Sequence, residues 1–292
     1  FFALAGMIGC LPAFQSNQLI QITGDLAFSE IENFNIFGGL ALAGITGIVV
    51  IGGLKRIAEV ATFLVPLMGS IYFGAMLIAL ILNLDLVLPA FKLILVDAFN
   101  GTAVAGGTFF GVLIYGVRRG AFSNEAGMGT ESLVHGVAKV SNPVKQGLVA
   151  MTGPIFDTLI ICTATALMIL VSGVWETSSS QGVTLTAEAF SILLGNFGGL
   201  ILFTCVICFG LSTIFTYSYY GVKCYGFLTT PKKGKHYNII YVIAIIISSI
   251  LTVEIVIGLI DIAFALMAIP NMIAIIYLSK IVTREMKSRS WI

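Results

Sequence analysis

The sequence predicts an all-α polytopic membrane protein, and three observations carry that prediction. Hydrophobic residues make up 58% of the 292 and charged residues only 10%, against about 25% charge in a typical soluble domain. Mean hydropathy is accordingly +1.04. Apolar runs of about 20 residues recur along the chain, the length an α-helix needs to cross the hydrocarbon layer. Basic residues gather on alternate connections between those runs, as the positive-inside rule requires. A net charge of +1 gives no footprint for nucleic acid; the expected surrounding partner is the lipid bilayer.

Eight spans are predicted, at about 1–23, 35–54, 61–82, 100–121, 147–173, 187–222, 238–257 and 260–280. The chain opens FFALAGMIGCLPAF, with no initiator Met and no basic flank. That is too apolar and too unflanked for a signal peptide, so the sequence is expected to start inside a helix and to lack the true N-terminus. Placing the tail KIVTREMKSRS in the cytoplasm and alternating sides puts fourteen of the fifteen basic residues inside, with only Lys92 outside. The opposite ends hold Asp25, Glu30, Glu32, Asp85, Asp97 and Glu176. A wrong span count would scramble this asymmetry.

Individual spans carry unusual residues. The fourth has Gly at 101, 106, 107, 111, 116 and 120, each costing about 1 kcal/mol against Ala in a helix. They serve either close packing or a break, and Gly106-Gly107 is where a break is expected. In the sixth span Ser212, Thr213, Thr216, Tyr217, Ser218, Tyr219 and Tyr220 crowd a segment that should be apolar. The hydroxyls either bond carbonyls one turn back or hold Na⁺, which takes neutral oxygens. Asp157 is ionisable and deep in a span, open to a role as proton site, ion ligand or hydrogen-bonded strut, with the strut favoured. Asp261 reads as a residue near a helix start. Pro154 and Pro270 are expected to kink their helices, with Asn271 satisfying backbone groups freed beside Pro270. In the first span Gln15 lies deepest among Gln15, Ser16, Asn17, Gln18 and Gln21 and is expected to face the interior. The five cysteines have no metal spacing and read as small packing residues. His135 and His236 fall in loops and are given no role. There is no HExxH, GxSxG or P-loop, so an enzyme is not expected.

Residues 116–135, GVRRGAFSNEAGMGTESLVH, have a pattern close to GxxRGxFSNEAGxGSAPxxHA. That pattern resembles the signature of the alanine or glycine:cation symporter family, also called sodium:alanine symporters. GGLKRIAEV at 52–60, AFNGTAVAGG at 98–107, QGLVAMTGPIFDTLIICTATALMIL at 146–170, STIFTYSYYG at 212–221 and DIAFALMAIPN at 261–271 extend the resemblance almost end to end. It departs at Thr130-Glu131-Ser132, where the family has Ser-Ala-Pro.

The resemblance implies a leucine-transporter-like inverted-repeat fold lacking its first two core helices. Residues 1–99 would be the last three helices of the first repeat, and 100–292 the five helices of the second repeat with the cytoplasmic tail. Lacking the first broken helix, the polypeptide as given is not expected to transport. The resemblance further implies that Gly106 and Gly107 unwind to face substrate, together with Gln15, Thr213 and Tyr217. Tyr217 stands where the family commonly has Trp. Ser212 and Thr213 match the hydroxyl pair that holds Na⁺. The implied function is symport of a small neutral amino acid, alanine or glycine, with Na⁺ as coupling ion and no other cofactor. It would proceed by alternating access in the plasma or inner membrane, with the C-terminus cytoplasmic. A channel or a non-transporting structural membrane protein is the alternative. The signature segment itself reads either as a rigid positive-inside loop or as a cytoplasmic gate with Arg119 paired to Glu125, in both cases away from the substrate and with Ser123, Asn124 and Glu125 capping the next helical segment.

Overall fold

The structure is a computed structural model and describes residues 1–99 and 108–288. Among the described residues the fold is helical, with no strand. The expected first span divides into α1 (Phe2–Gly9) and α2 (Ala13–Ala27). Pro12 cannot donate to α1 but suits the cap of α2. α3 (Phe34–Ile51) and α4 (Gly53–Leu82) come next, almost without a connection. α5 (Leu84–Ala98) carries Lys92 and was not among the eight spans. α6 (Thr108–Asn124) and α7 (Thr130–His135) flank the signature's centre. α8 (Pro143–Pro154) starts with Pro143 in its first turn and with Asn142 Oδ1 accepting from the Val144 N–H at 2.9 Å. Past Pro154 the helix widens into a π-turn (Ile155–Cys162) and resumes as α9 (Thr163–Ser172).

The expected sixth span is two helices. After α10 (Val174–Thr177), α11 (Val183–Leu194) ends where Gly195, at φ +68°, turns the chain into α12 (Asn196–Leu228). Hydropathy runs through this corner, which is why the sequence reads as one span. α13 (Tyr237–Ile250) and α14 (Val253–Ser288) complete the order. α14 absorbs the end of the seventh span and all of the eighth. Asp261 is therefore in its third turn and not near a helix start. α3, α4, the α8-to-α9 run, α12 and α14 are long and apolar enough to cross a membrane. Their outer faces suit lipid and not water: Ile51 is 79% exposed, Phe63 70% and Ile276 68%.

α12 is the central post, packed against α4, α11, α1 and α2, while α13 pairs with α3. Tyr237 and Tyr241 of α13 are fully buried, and their hydroxyls donate to the carbonyls of Met7 and Ile214, so their polar ends cost little inside the bundle. Gly221 makes this approach possible, since a Cβ there would lie 1.9 Å from the Tyr237 ring. Gly221→Ala is expected to destabilise by about 1–3 kcal/mol, the usual cost of overpacking. Gly74→Ala, with open space around it, should instead gain up to about 1 kcal/mol of helix propensity. Thermal unfolding in detergent checks this: equal melting temperatures for the two variants would refute the close contact.

The polar end of α2 is structural. Asn17 Nδ2 donates to the carbonyls of Ser248 (3.1 Å) and Leu251 (2.7 Å), two acceptors that the end of α13 leaves free. Gln18 Oε1 accepts from the Val183 N–H at 3.2 Å, and Thr184 bonds Asp25 Oδ2 at 2.9 Å. These contacts tie the start of α11 across the end of α2.

Candidate functional site

The feature that organises the site is the break between α6 and α7. Glu125, Gly127 and Gly129 have φ of +54°, +83° and +91°, left-handed values that stop an α-helix. Asn124 Oδ1 accepts from the Ala126 N–H at 2.9 Å and closes the first turn. Asn271 Nδ2 donates to the Gly127 carbonyl at 2.8 Å, so α14 clamps the break. This is where Asn271 acts, rather than on carbonyls freed beside Pro270. The Phe122 ring sits edge-on to Phe14 at 5.1 Å and against Phe264 at 5.7 Å, pinning the end of α6 between α2 and α14.

A cavity of about 410 Å³ opens beside this break. Gln15 and Gln18 of α2, Phe122, Ser123 and Glu125 of the break, and Thr213 and Tyr217 of α12 line it. Gly182, Val183 and Thr186 close one side, and Val206, Phe209 and Gly210 form an apolar floor. A mainly apolar pocket with a few convergent polar groups is the usual make-up of a small-ligand site. A larger cavity of about 770 Å³, between Phe1-Phe2-Ala3 and the end of α12, holds none of these groups.

The structure thus brings Gln15, Thr213 and Tyr217 together. Thr213 and Tyr217, four residues apart, share one face of α12. Ser212, the next residue round the helix, is buried with its hydroxyl toward the Phe209 carbonyl (3.0 Å) and Met68 Sδ (3.9 Å). Its hydroxyl faces α4, beside the cavity and not in its wall. Gly106 and Gly107 lie outside the described residues.

Three expectations about the signature are corrected. Arg119 does not pair with Glu125: its Nη2 forms an ion pair with Asp261 of α14, between the rings of Tyr115 and Phe122, each 5.5 Å away. Glu125 instead accepts from the Tyr217 hydroxyl. Its left-handed backbone turns its side chain from the helix axis toward α12. Ser123, Asn124 and Glu125 do not cap α7, whose N-cap is Gly129 without a side-chain bond. Nor is the signature remote from the cavity, since it supplies three of the lining residues. Sequence reasoning missed Phe122, Ser123 and Gln18. The available signal was the three left-handed-tolerant positions Asn124, Gly127 and Gly129 within six residues, a pattern for breaking a helix as much as for a surface loop.

Glu125 and Tyr217 form a direct hydrogen bond between the break and α12 at the cavity wall. Tyr217 is 6% exposed, so its hydroxyl depends on this acceptor. A Trp at this position has an N–H to donate but no hydroxyl.

Over residues 1–290 the sequence matches the family described as the sodium:alanine symporter family. It is 37% identical over 291 residues to an uncharacterized transporter, YflA, of Bacillus subtilis, covering 96% of this chain and 60% of that protein. It is 34% identical to the sodium/alanine symporter AgcS of Methanococcus maripaludis, covering 96% and 63%. It is 36% identical to the probable sodium/glutamine symporter GlnT of Bacillus subtilis, covering 93% and 57%. The chain thus spans about three-fifths of the length of these relatives. With five helices able to cross a membrane among the described residues and a match that runs nearly end to end, the chain is a multi-pass membrane protein that belongs to the sodium:alanine symporter family.

Proposed function

We propose that this protein is a secondary active transporter that carries a small neutral amino acid, alanine or glycine, together with Na⁺. It works by alternating access on a leucine-transporter-like inverted-repeat fold, in the plasma or inner membrane, with its C-terminus cytoplasmic. The observation that carries the reading is the cavity where a broken helix meets Gln15, Thr213 and Tyr217. A break inside a bundle frees backbone groups to replace the hydration of a zwitterion and an ion. The Gln15 side-chain oxygen is buried without a partner among the described residues, and an ammonium donor would satisfy it. Na⁺ is assigned to Ser212, whose hydroxyl faces α4 beside the cavity, and to Thr213, which lines the cavity. Gly106 and Gly107 remain proposed substrate contacts. The names of the relatives are consistent with this reading, one of them being a sodium/alanine symporter.

The test is alanine uptake into proteoliposomes containing the full-length protein. Thr213→Ala should raise the half-saturating Na⁺ concentration about tenfold, equivalent to losing roughly 1.4 kcal/mol of ion binding. An unchanged sodium curve would reject the ion assignment. Flux without a fixed Na⁺ to alanine stoichiometry would replace the symporter by a channel.

A further inference from the structure

The larger cavity, of about 770 Å³, takes no part in the site above. It lies where the end of α12 meets the start of α1 and the short turn Gly234–His236. Gly234 brings that turn onto α12, since a Cβ there would lie 2.8 Å from the Val222 carbonyl. The Gly234 N–H donates to the Thr230 carbonyl at 3.2 Å and the His236 N–H to the Lys233 carbonyl at 2.9 Å, so the turn holds a fixed shape. The cavity walls are mostly apolar, with Phe2, Val222 and Phe227 among them. Set into these walls are Lys223 of α12 and Lys235 of the turn. No carboxylate lines the cavity, and neither lysine forms an ion pair among the described residues. The Lys223 ammonium lies over the Tyr219 ring, 5.2 Å from its centre, a contact that positions the charge without neutralising it. Tyr219 lines the cavity too and is only 7% exposed, yet its hydroxyl has no partner among the described residues.

We propose that this cavity binds one anionic phospholipid, with an acyl chain against the apolar walls and the phosphate between Lys223 and Lys235. Position is the first argument for lipid over a soluble anion or a peptide. α12 is long and apolar enough to cross a membrane, and the cavity lies at its end. Phe227 is 84% exposed there, and lysines follow at 232, 233 and 235. An apolar span that gives way to basic residues marks the level of the headgroups. The second argument is the make-up of the walls. Apolar surface with two unneutralised ammonium groups matches a molecule that has both an apolar and an anionic part, and basic pockets between membrane helices recognise anionic headgroups. A lysine stem can lie along apolar wall while its ammonium reaches the headgroup. A phosphate or glycerol oxygen would also give the Tyr219 hydroxyl the acceptor it lacks. Bound here, the lipid bridges α1 and α12 and becomes part of their packing. The orientation proposed above puts the site in the cytoplasmic leaflet; the binding itself rests on neither that orientation nor the symport reading.

The experiment is native mass spectrometry of the purified full-length protein in detergent, titrated with phosphatidylglycerol and, separately, with phosphatidylcholine. The first phosphatidylglycerol should bind at least about tenfold more tightly than phosphatidylcholine. Lys223→Gln and Lys235→Gln should each weaken it about fivefold, and together about 25-fold, with phosphatidylcholine binding unchanged. Both lysines are exposed, so these variants should fold. Lys232→Gln with Lys233→Gln removes the same charge outside the cavity walls and should change the affinity less than about twofold. Equal affinity for the two lipids overturns the proposal. Equal losses for the inner and outer lysine pairs also overturn it, by reducing the effect to general surface charge. Displacement by an equal concentration of glycerol 3-phosphate would make this a site for a soluble anion. Failure of the full-length protein to bind phosphatidylglycerol would mean that another part of the protein fills the cavity, and it too overturns the proposal.

Discussion

Gly129→Ala will lower the stability of the protein by about 2–5 kcal/mol and abolish uptake. Two costs add. Gly129 sits at φ +91°, where an L-residue pays about 1–2 kcal/mol. A Cβ there would also meet the Phe2 ring at 2.6 and 2.9 Å and Asn271 Oδ1 at 3.0 Å, and overpacking of this kind costs about 1–3 kcal/mol. Neither neighbour can easily give way. Phe2 packs against the core around α12, and the Asn271 amide is bonded to the Gly127 carbonyl. Moving Asn271 would release the clamp that α14 places on the break. Gly127→Ala separates the two costs. Its φ of +83° imposes the same backbone penalty, but its nearest neighbour is the flexible Met272 Sδ at 3.5 Å. Thermal unfolding in detergent should therefore rank Gly129→Ala well below Gly127→Ala, and Gly127→Ala below wild type. Equal losses at the two positions would show that the contact with Phe2 and Asn271 is unimportant.

The same residues show how much was legible beforehand. Thr213 and Tyr217 could be placed on one face from the sequence because the helical period is fixed, and both line the cavity. Gln15 was identifiable as the deepest polar residue of an apolar run. The position of the break was not legible. Glycines that pack helices and glycines that break them look alike in a sequence; the expected break at Gly106-Gly107 lies outside the described residues, and the break at 125–129 was not anticipated. Residues 123–129, being polar, were placed at the cytoplasmic face and away from the substrate. Polarity cannot distinguish water outside a protein from a cavity within it; only the packing of α2, α12 and α14 around the segment does that. Arg119 illustrates the point for charge. It entered the sidedness count as an inside marker, yet its charge is answered by Asp261 on a helix about 140 residues later. Long-range pairing of this sort is invisible to composition, and it also removed the expected link from Arg119 to Glu125.

Breaking the Arg119 and Asp261 pair should be nearly as damaging as filling the space at Gly129, and it should be reversible by exchange. The two side chains are 27% and 24% exposed. Losing one partner of a fully buried pair costs about 3–5 kcal/mol, and partial exposure brings the expected loss to about 1–3 kcal/mol. Asp261→Asn leaves the guanidinium without a counter-charge while the rings of Tyr115 and Phe122 still hold it in place. Its Nε is already buried without a partner among the described residues, so a second lost partner is poorly tolerated. Arg119→Gln leaves the converse defect, an unpaired carboxylate in the third turn of α14. Because the pair joins α6 to α14, either loss also loosens the two helices that hold the break, and uptake should fall with stability. If the attraction between the charges is what matters, Arg119→Gln with Asp261→Asn should be less damaging than the single losses predict in sum. A coupling of about 1 kcal/mol or more in the double-mutant cycle is expected, above the roughly 0.5 kcal/mol within which independent sites add. Strict additivity would mean that each residue is held by its other neighbours, and that the pair does not bind α6 to α14.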